Sequence, residues 1–283
     1  YLKDFNLKIA CLANNHVFDH LEDGFEKTIK SLSDNRIKSL GASLEKKKQL
    51  EPLVIEEKGI RICLLNYVTK DTNPNPPEGT KINLNWFDID SVITEINHVK
   101  GKVNHIIVNL HWGGRVEGGL YPDFDQPKIA RKLIDAGADL IIGHHSHTIQ
   151  PYEVYKGKHI FYSLGNFCFS EFLFEGENYV MPKRRKYALI VSVVFDNDKY
   201  QVSTNYFFNK KNKLVKRDQY SKKITFRNTI FRSLLRFNFF WKLYYFNHRK
   251  IMPILFYLQR DDMSIKEKLS RLSFSKFKKY IVK

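Results

Sequence analysis

A chain of 283 residues that is 43% hydrophobic, 14% aromatic and 27% charged is long enough to bury a sizeable core, which excludes wholesale disorder. No stretch approaches about 18 uninterrupted apolar residues, so no spanning helix is expected, and Cys11, Cys63 and Cys168 lack the CxxC spacing of a thiolate zinc site or a disulfide framework. The formal charge of +17 is confined to one end: residues 205–283 hold 21 Lys/Arg and 4 Asp/Glu, whereas residues 1–204 hold 26 of each sign.

The sequence begins at Tyr1 and opens almost directly on a strand, so we expect the natural N-terminus to lie upstream, with any signal peptide or anchor outside this chain. Leu7–Ala13 is a short apolar run predicted as a strand, and Asp23–Asn35 has helical spacing through Phe25, Ile29 and Leu32. Leu53–Ile55 and Ile60–Val68 read as two strands joined at Lys58-Gly59, and Thr72–Gly79, with Pro74, Pro76 and Pro77, reads as a loop. Asp88–Val99 is a predicted helix with Asp88 as its N-cap, and Val103–Leu110 a β-branched strand. Asp125–Gly137 is a second helix, with Pro127 in its first turn, Ile129, Ala130, Leu133 and Ile134 on one face, and Gly137 ending it. Asp139–Gly143 is a buried strand, and Tyr152–Tyr155, His159–Leu164, Tyr187–Phe195 and Gln201–Phe208 complete a late set of strands. Alternating β and α elements followed by strands predict an α/β layered sandwich with a mixed sheet over residues 1–208.

Residues 209–283 read as a basic, aromatic-rich helical tail. In the last 79 residues lie 18 of the 40 aromatics. Ile230, Phe231, Leu234, Leu235 and Phe239, interleaved with Arg227, Arg232 and Arg236, predict an amphipathic helix stopped before Pro253. Ser264-Ile265-Lys266-Glu267 is a capping-box pattern that opens another helix through Leu269 and Leu272. Such a tail is a packed appendage with a solvated basic face, or an attachment to anionic lipid in which Phe231, Leu235, Phe239 and Trp241 are buried. No recognised module points to nucleic acid, and none is expected as a partner.

Three of the predicted strands end alike. Leu7–Ala13 runs into Asn14-Asn15-His16, Val103–Leu110 into His111-Trp112-Gly113-Gly114, and Asp139–Gly143 into His144-His145-Ser146-His147. Ligands of layered α/β folds bind beyond the carboxyl ends of strands, where separate loops converge. A single histidine there is as easily an ordinary loop residue. Three in four residues are not, because clustered imidazoles raise desolvation and repulsion costs unless something binds them. Neutral imidazole is the commonest protein ligand for transition metals, an Asn oxygen can join it, and in extended chain His145 and His147 point the same way. His20, His98, His105, His159 and His248 have no such setting and read as structural or exposed.

The segments Leu12-Ala13-Asn14-Asn15-His16 with Asp19, His111-Trp112-Gly113, Ala136 to His147, and Tyr162-Ser163-Leu164-Gly165-Asn166-Phe167 resemble the CapA-type capsule-synthesis proteins, over about residues 5–195. Those proteins are associated with poly-γ-glutamate and belong to the calcineurin-like metallophosphoesterase superfamily. The resemblance implies a four-layer α/β/β/α sandwich and a site for two divalent metal ions (Mn, Fe or Zn). It makes Asn15, His111, His145 and His147 metal ligands, and His16 the adjacent catalytic acid or phosphate-contacting residue. His144 is ambiguous, since the Gly-His-x-His pattern threads from Gly143-His144 or one residue later. Asn166 and Glu117 are additional candidates, Glu117 carrying over weakly because Gly118-Gly119-Leu120 separate it from Tyr121. The Asp-containing metal motif of the superfamily's opening strand and the early Asn-Leu-Glu segment are absent from this chain, which is expected to begin after both. The function implied is a metal-dependent hydrolase of capsule or poly-γ-glutamate biosynthesis at the cell envelope, with an anionic polymer or phosphoester as substrate. The alternatives are a non-catalytic assembly protein for an anionic polymer or membrane, and an ordinary cellular phosphoesterase.

Overall fold

Nine residues from Ile60 to Val68, broken only by Arg61 and Asn66, have the near-continuous apolar character of a strand covered on both faces, and around that strand the body is built. The computed structural model of the protein describes residues 6–44, 51–167, 169, 172–174, 177–179, 181–210 and 213–247. In chain order the first elements are β1 (Ile9–Cys11), α1 (Leu21–Asp34), β2 (Lys38–Leu40), β3 (Ala42–Ser43), β4 (Leu53–Glu57), β5 (Ile60–Val68) and β6 (Asn83–Leu84). Next come α2 (Ile89–Val99), β7 (His105–His111), α3 (Gln126–Ala136), β8 (Leu140–His144), β9 (Tyr152–Tyr155) and β10 (Lys158–Phe161). The chain continues through β11 (Phe172–Phe174), β12 (Glu177–Tyr179), β13 (Tyr187–Phe195), β14 (Tyr200–Lys210), β15 (Lys213–Lys216), α4 (Tyr220–Arg236) and α5 (Asn238–Phe246).

The main sheet has the order β4-β5-β7-β8-β10-β9, with β5, β7, β8 and β10 mutually parallel and the edge strands antiparallel. Parallel neighbours need a crossover, which α2 supplies between β5 and β7 and α3 between β7 and β8. Asp88 caps α2 as its sequence predicts, accepting from the Ser91 backbone N–H at 2.9 Å. Both helices bury apolar stripes, Val92, Ile96 and Val99 on α2 and Ala130, Leu133 and Ile134 on α3. The hairpin at Lys58-Gly59 turns through two positive φ values, 53° and 79°, the type of two-residue turn that matches strand twist.

The other face of the main sheet, through Leu140 and Phe161 with Ile107 and Ile142 alongside, packs against Leu189 and Tyr206 of the three-stranded sheet β13-β14-β15. The architecture is therefore mixed α/β, with helices on one face of the larger sheet and a second sheet on the other. Register sets up the site: Asn66 pairs with Asn109, Val68 with His111, and His111 with His144, so β5, β7 and β8 end level with one another.

Three expectations change in detail. The strand expected over Leu7–Ala13 keeps its ladder only at Ile9–Cys11, and Ala13 N–H donates instead to the Asn66 side chain at 2.8 Å. The chain divides into compact units Tyr1–Thr229 and Ile230–Lys283; the first extends past Phe208 because β15 pairs with β14 and because Tyr220 and Ile224 of α4 join the sheet-to-sheet core. In the second unit the single amphipathic helix expected through Phe239 breaks at Phe237 (φ −116°, ψ 88°) into α4 and α5. Phe231 and Trp241 are buried against each other there, their rings 5.6 Å apart and nearly perpendicular, so neither is a lipid-facing residue. The helix expected from Ser264, Pro253 and His248 lie outside the described residues. No helix among the described residues is long and apolar enough to cross a membrane.

Candidate functional site

The loop after β1 is shaped by its own asparagines. Asn14 Oδ1 accepts from the His16 backbone N–H at 2.8 Å, and Asn14 Nδ2 donates to the Leu12 carbonyl at 3.2 Å, an Asx turn of the kind these residues favour. That turn delivers Asn15 and His16 to the level ends of β7 and β8. Asn15 Oδ1 lies 2.7 Å from His111 Nε2, and its amide nitrogen lies 3.3 Å from His16 Nε2. His16 Nδ1 lies 2.8 Å from Asp19 Oδ2, so the carboxylate orients the ring and turns Nε2 toward the Asn15 amide.

Behind β7, the run Trp112-Gly113-Gly114 is dictated by close approaches. Trp112 is buried, donates Nε1–H to the Tyr162 carbonyl at 3.0 Å, and stacks on the Tyr162 ring. A Cβ on Gly114 would meet the Asp71 carbonyl at 1.7 Å, and one on Gly143 would meet the Tyr162 carbonyl at 2.1 Å. The histidine run after β8 is not extended, which corrects the expectation that His145 and His147 share a direction by strand alternation. His145 and His147 take φ values of 103° and 59°, rare for non-glycine residues and a mark of stored strain. The turn sends His145 Nδ1 to 3.1 Å from His111 Nε2, while His147 Nδ1 faces Asn166 Oδ1 at 2.8 Å; the two rings stand 6.2 Å apart. His144 stays on the strand, and its carbonyl accepts from Trp112 N–H at 3.3 Å. His16, His111, His144, His145, His147 and Asn166 line a cavity of about 390 Å3 that also includes Cys11, Asn66 and Asn109.

Burial holds His111, His144 and His145 neutral. It takes His111 down to about 2, reinforced by His145, His144, His147 and His16. Burial likewise takes His144 to about 4, and His145 to about 4 against the pull of Glu117 and Asp71. Around His111 Nε2, then, Asn15 Oδ1 and His145 Nδ1 converge on one atom. With His145 Nδ1 unprotonated, a proton on His111 Nε2 directed between them, or a cation in its place, would satisfy all three. Donors that share a cation at about 2.0–2.2 Å stand roughly 3 Å from one another, so Asn15, His111 and His145 fit one divalent cation. His147, with Nδ1 directed to Asn166, has the outward nitrogen and the hydrogen-bonded inward one that ligating histidines use. Among the described residues no group of three or more His, Cys, Asp or Glu stands ready to hold a metal ion, and no carboxylate joins the three donors to bridge a second cation. The expected pair of ions is not matched by the donors described.

The structure thus brings Asn15, His16, His111, His145, His147 and Asn166 to one sheet edge, with His144 on the adjoining strand. Glu117 is not among the converging donors; it lies on the neighbouring loop, close enough to act on His145, and is ion-paired with Arg185 at 3.1 Å. His105 is buried away from the site, its Nε2 2.5 Å from the Asp196 carbonyl. Two residues of the site escaped sequence reading. Asn66, the polar interruption of β5, ties β1 to β5 and β7 by accepting from Ala13 and donating to the Asn109 carbonyl at 3.3 Å; a buried amide inside an apolar strand was its signal. Asp71 is held at the rim by Gly114 N–H at 3.1 Å, and nothing in the sequence marks it.

The first 171 residues match the family model described as bacterial capsule synthesis protein PGA_cap. Among curated proteins, the chain is 31% identical over 173 residues to the PGA biosynthesis protein CapA of Bacillus subtilis, covering 60% of this chain and 44% of that protein. It is 28% identical over 170 residues to a probable polyglutamine synthesis accessory protein of Mycobacterium tuberculosis, covering 56% and 44%. The chain spans less than half the length of these curated relatives. Among solved structures, a 5′-nucleotidase precursor from Thermus thermophilus aligns at 18% identity and a TM-score of 0.45 over 83% of this chain and 45% of that one. A hypothetical protein from the same organism aligns at 13% identity and a TM-score of 0.48 over 73% and 79%.

Proposed function

The chain belongs to the bacterial capsule synthesis protein family PGA_cap, and from that premise we propose that it performs a metal-dependent hydrolytic step on an anionic polymer of the cell envelope. The observation that carries the reading is the convergence of Asn15 Oδ1 and His145 Nδ1 on His111 Nε2, at 2.7 and 3.1 Å. A divalent cation (Mn, Fe or Zn) held by these donors would supply a Lewis acid and a water acidic enough to ionise near neutral pH. The residues do the rest. Asn15 is locked by contacts at both ends of its amide, so its oxygen stays on His111. Asn166 fixes His147 by one ring nitrogen and leaves the other to the cavity. His16, turned by Asp19 and with Nε2 beside the Asn15 amide, stands at the open side of the site, where it would pass a proton to or from the leaving group. Its exposed position suits a group that meets an incoming substrate.

A second reading has one observation in its favour: no Asp or Glu joins the donors among the described residues. A site poor in carboxylate binds a cation more weakly, as a non-catalytic assembly protein would. The two readings separate in one experiment. Isothermal titration of Mn2+ and Zn2+ into the full chain should show binding that His111→Ala and His145→Ala each abolish and His98→Ala leaves intact. Hydrolysis of bis(p-nitrophenyl) phosphate and of a γ-glutamyl oligomer should follow the same pattern. Metal binding without turnover selects the assembly reading, and equal binding by all variants rejects the site. We also propose that the basic second unit holds the protein at an anionic membrane surface, supported by that unit's excess of Lys/Arg and by the exposed aromatics of α5.

A further inference from the structure

The loop that carries Glu117 and the short 3-10 turn Lys183–Lys186 meet beside the histidines, and both are tied to them. Gly118 N–H donates to the Ser146 carbonyl at 2.7 Å, inside the histidine run. From the other side, Asn166 Nδ2 donates to the Arg185 carbonyl at 3.1 Å while Asn166 Oδ1 holds His147. At the junction two guanidinium groups crowd one backbone position: a Cβ built on Gly118 would lie 2.9 Å from Arg185 Nη2 and 3.5 Å from Arg184 Nη2. Gly118 has φ +70°, and its missing side chain is what lets the arginines lie against the loop.

A structural ion pair needs one guanidinium and one carboxylate. Here, within a run of four basic residues, Arg185 pairs with Glu117 while Arg184 also reaches the adjoining Gly118. Arg185 is only 18% exposed in its side chain, and its Nε is buried with no hydrogen-bond partner among the described residues. A buried donor left unmade is costly unless something completes it. Arginine's planar fork matches a carboxylate in two parallel bonds, yet only Nη2 is paired with Glu117. Glu117 itself is 48% exposed on an irregular loop.

We propose that Arg184 and Arg185, gathered at Gly118, form a carboxylate subsite that takes a side-chain carboxylate of an acidic polyamide chain in exchange for Glu117, and so lays that chain across the histidine cluster. The inference rests on the hydrolase reading for the direction of the chain, but not for the binding itself. Exchange of one carboxylate for another conserves the charge on the arginines and gains the bond to Nε that Glu117 leaves unmade. Repeated carboxylates suit the subsite because each residue of the chain can enter in turn.

Fluorescence anisotropy with a labelled γ-glutamyl oligomer and the full chain tests this. The double variant Arg184→Gln/Arg185→Gln should weaken binding by about tenfold or more, while its cation titration stays that of the parent. Glu117→Gln should tighten binding by roughly threefold, because a competitor loses its charge. Unchanged affinity in the double variant overturns the proposal, as does weaker binding by Glu117→Gln. A double variant that loses the cation as well makes the arginines structural and also overturns it. Tighter binding of polyphosphate than of the γ-glutamyl oligomer refutes the carboxylate assignment. Arginine-dependent binding in a protein that neither takes up metal nor hydrolyses anything upholds the subsite and rejects the hydrolase reading alone.

Discussion

Gly143 carries the site on a single hydrogen atom. Its Cα lies so close to the next strand that a methyl group would stand 2.1 Å from the Tyr162 carbonyl and 2.4 Å from Trp112 Nε1, and neither backbone nor stacked indole can step aside. Gly143→Ala should therefore cost about 1–3 kcal/mol, read as a lower urea midpoint, and should displace His144 and His145 enough to weaken cation binding. A stable Gly143→Ala protein with unchanged metal affinity would show that β8 and β10 are less tightly apposed. The imidazoles themselves make stability depend on pH. His111, His144 and His145 sit near 2, 4 and 4 in the folded protein, burial being the first cause in each. An unfolded histidine titrates near 6.5. Below about pH 6.5 the unfolded chain takes up protons that the folded chain refuses, so stability falls as the pH drops toward 4 and goes on falling toward 2 for His111. The urea midpoint should accordingly decrease from pH 7.5 to pH 4.5, and His145→Gln should flatten that slope. A midpoint independent of pH in this range would place these rings in water.

At the scale of the elements, the first turns of α4 are part of the body. Asn228 is buried and its Oδ1 accepts the Tyr152 backbone N–H of edge strand β9 at 2.9 Å, which both satisfies that donor and covers an edge. Asn228→Ala should destabilise the protein by about 1–3 kcal/mol through the orphaned N–H, whereas the exposed Lys222→Ala should change it by less than about 0.5 kcal/mol; equal effects would mean that α4 does not clamp β9. Long, strongly patterned elements were legible in advance: β5, α2, α3, β13 and β14 fall where their periodicities place them, because each carries enough apolar residues on one face to decide the matter locally. What was not legible depends on partners distant in sequence. Leu12 N–H still donates to the Leu40 carbonyl of β2, but Ala13 leaves the ladder for the side chain of Asn66, 53 residues away. Phe237 breaks a helix whose apolar spacing runs on, and no glycine or proline marks the place. The histidines could be assembled from strand ends alone, since loops after parallel strands must meet at one edge. The directions of His145 and His147 could not, because they depend on positive φ values that histidine seldom adopts.

The molecule as a whole is electrically divided. Residues 219–260 contain nine Lys/Arg and no Asp/Glu, while residues 1–204 cancel. Within the second unit, burial of Phe231 and Trp241 leaves a different set of apolar groups outside: Phe237, Phe239, Phe240, Leu243 and Phe246, with Phe239 72% exposed. Aromatic rings beside cations are the composition of interfacial helices. Each basic residue near anionic headgroups contributes on the order of 1 kcal/mol, and screening over roughly 8 Å at physiological salt limits the sum to the few that face the surface together. The rings add a component that salt does not screen. The 283-residue chain should therefore co-sediment with anionic vesicles at low salt and retain part of that binding at high salt. The variant Phe239→Ser/Phe240→Ser/Leu243→Ser alters exposed side chains only, so it should fold, bind at low salt through its charge, and dissociate as salt rises. Equal binding to neutral and anionic vesicles, or a salt response that the triple variant does not alter, would show that these rings serve packing rather than attachment.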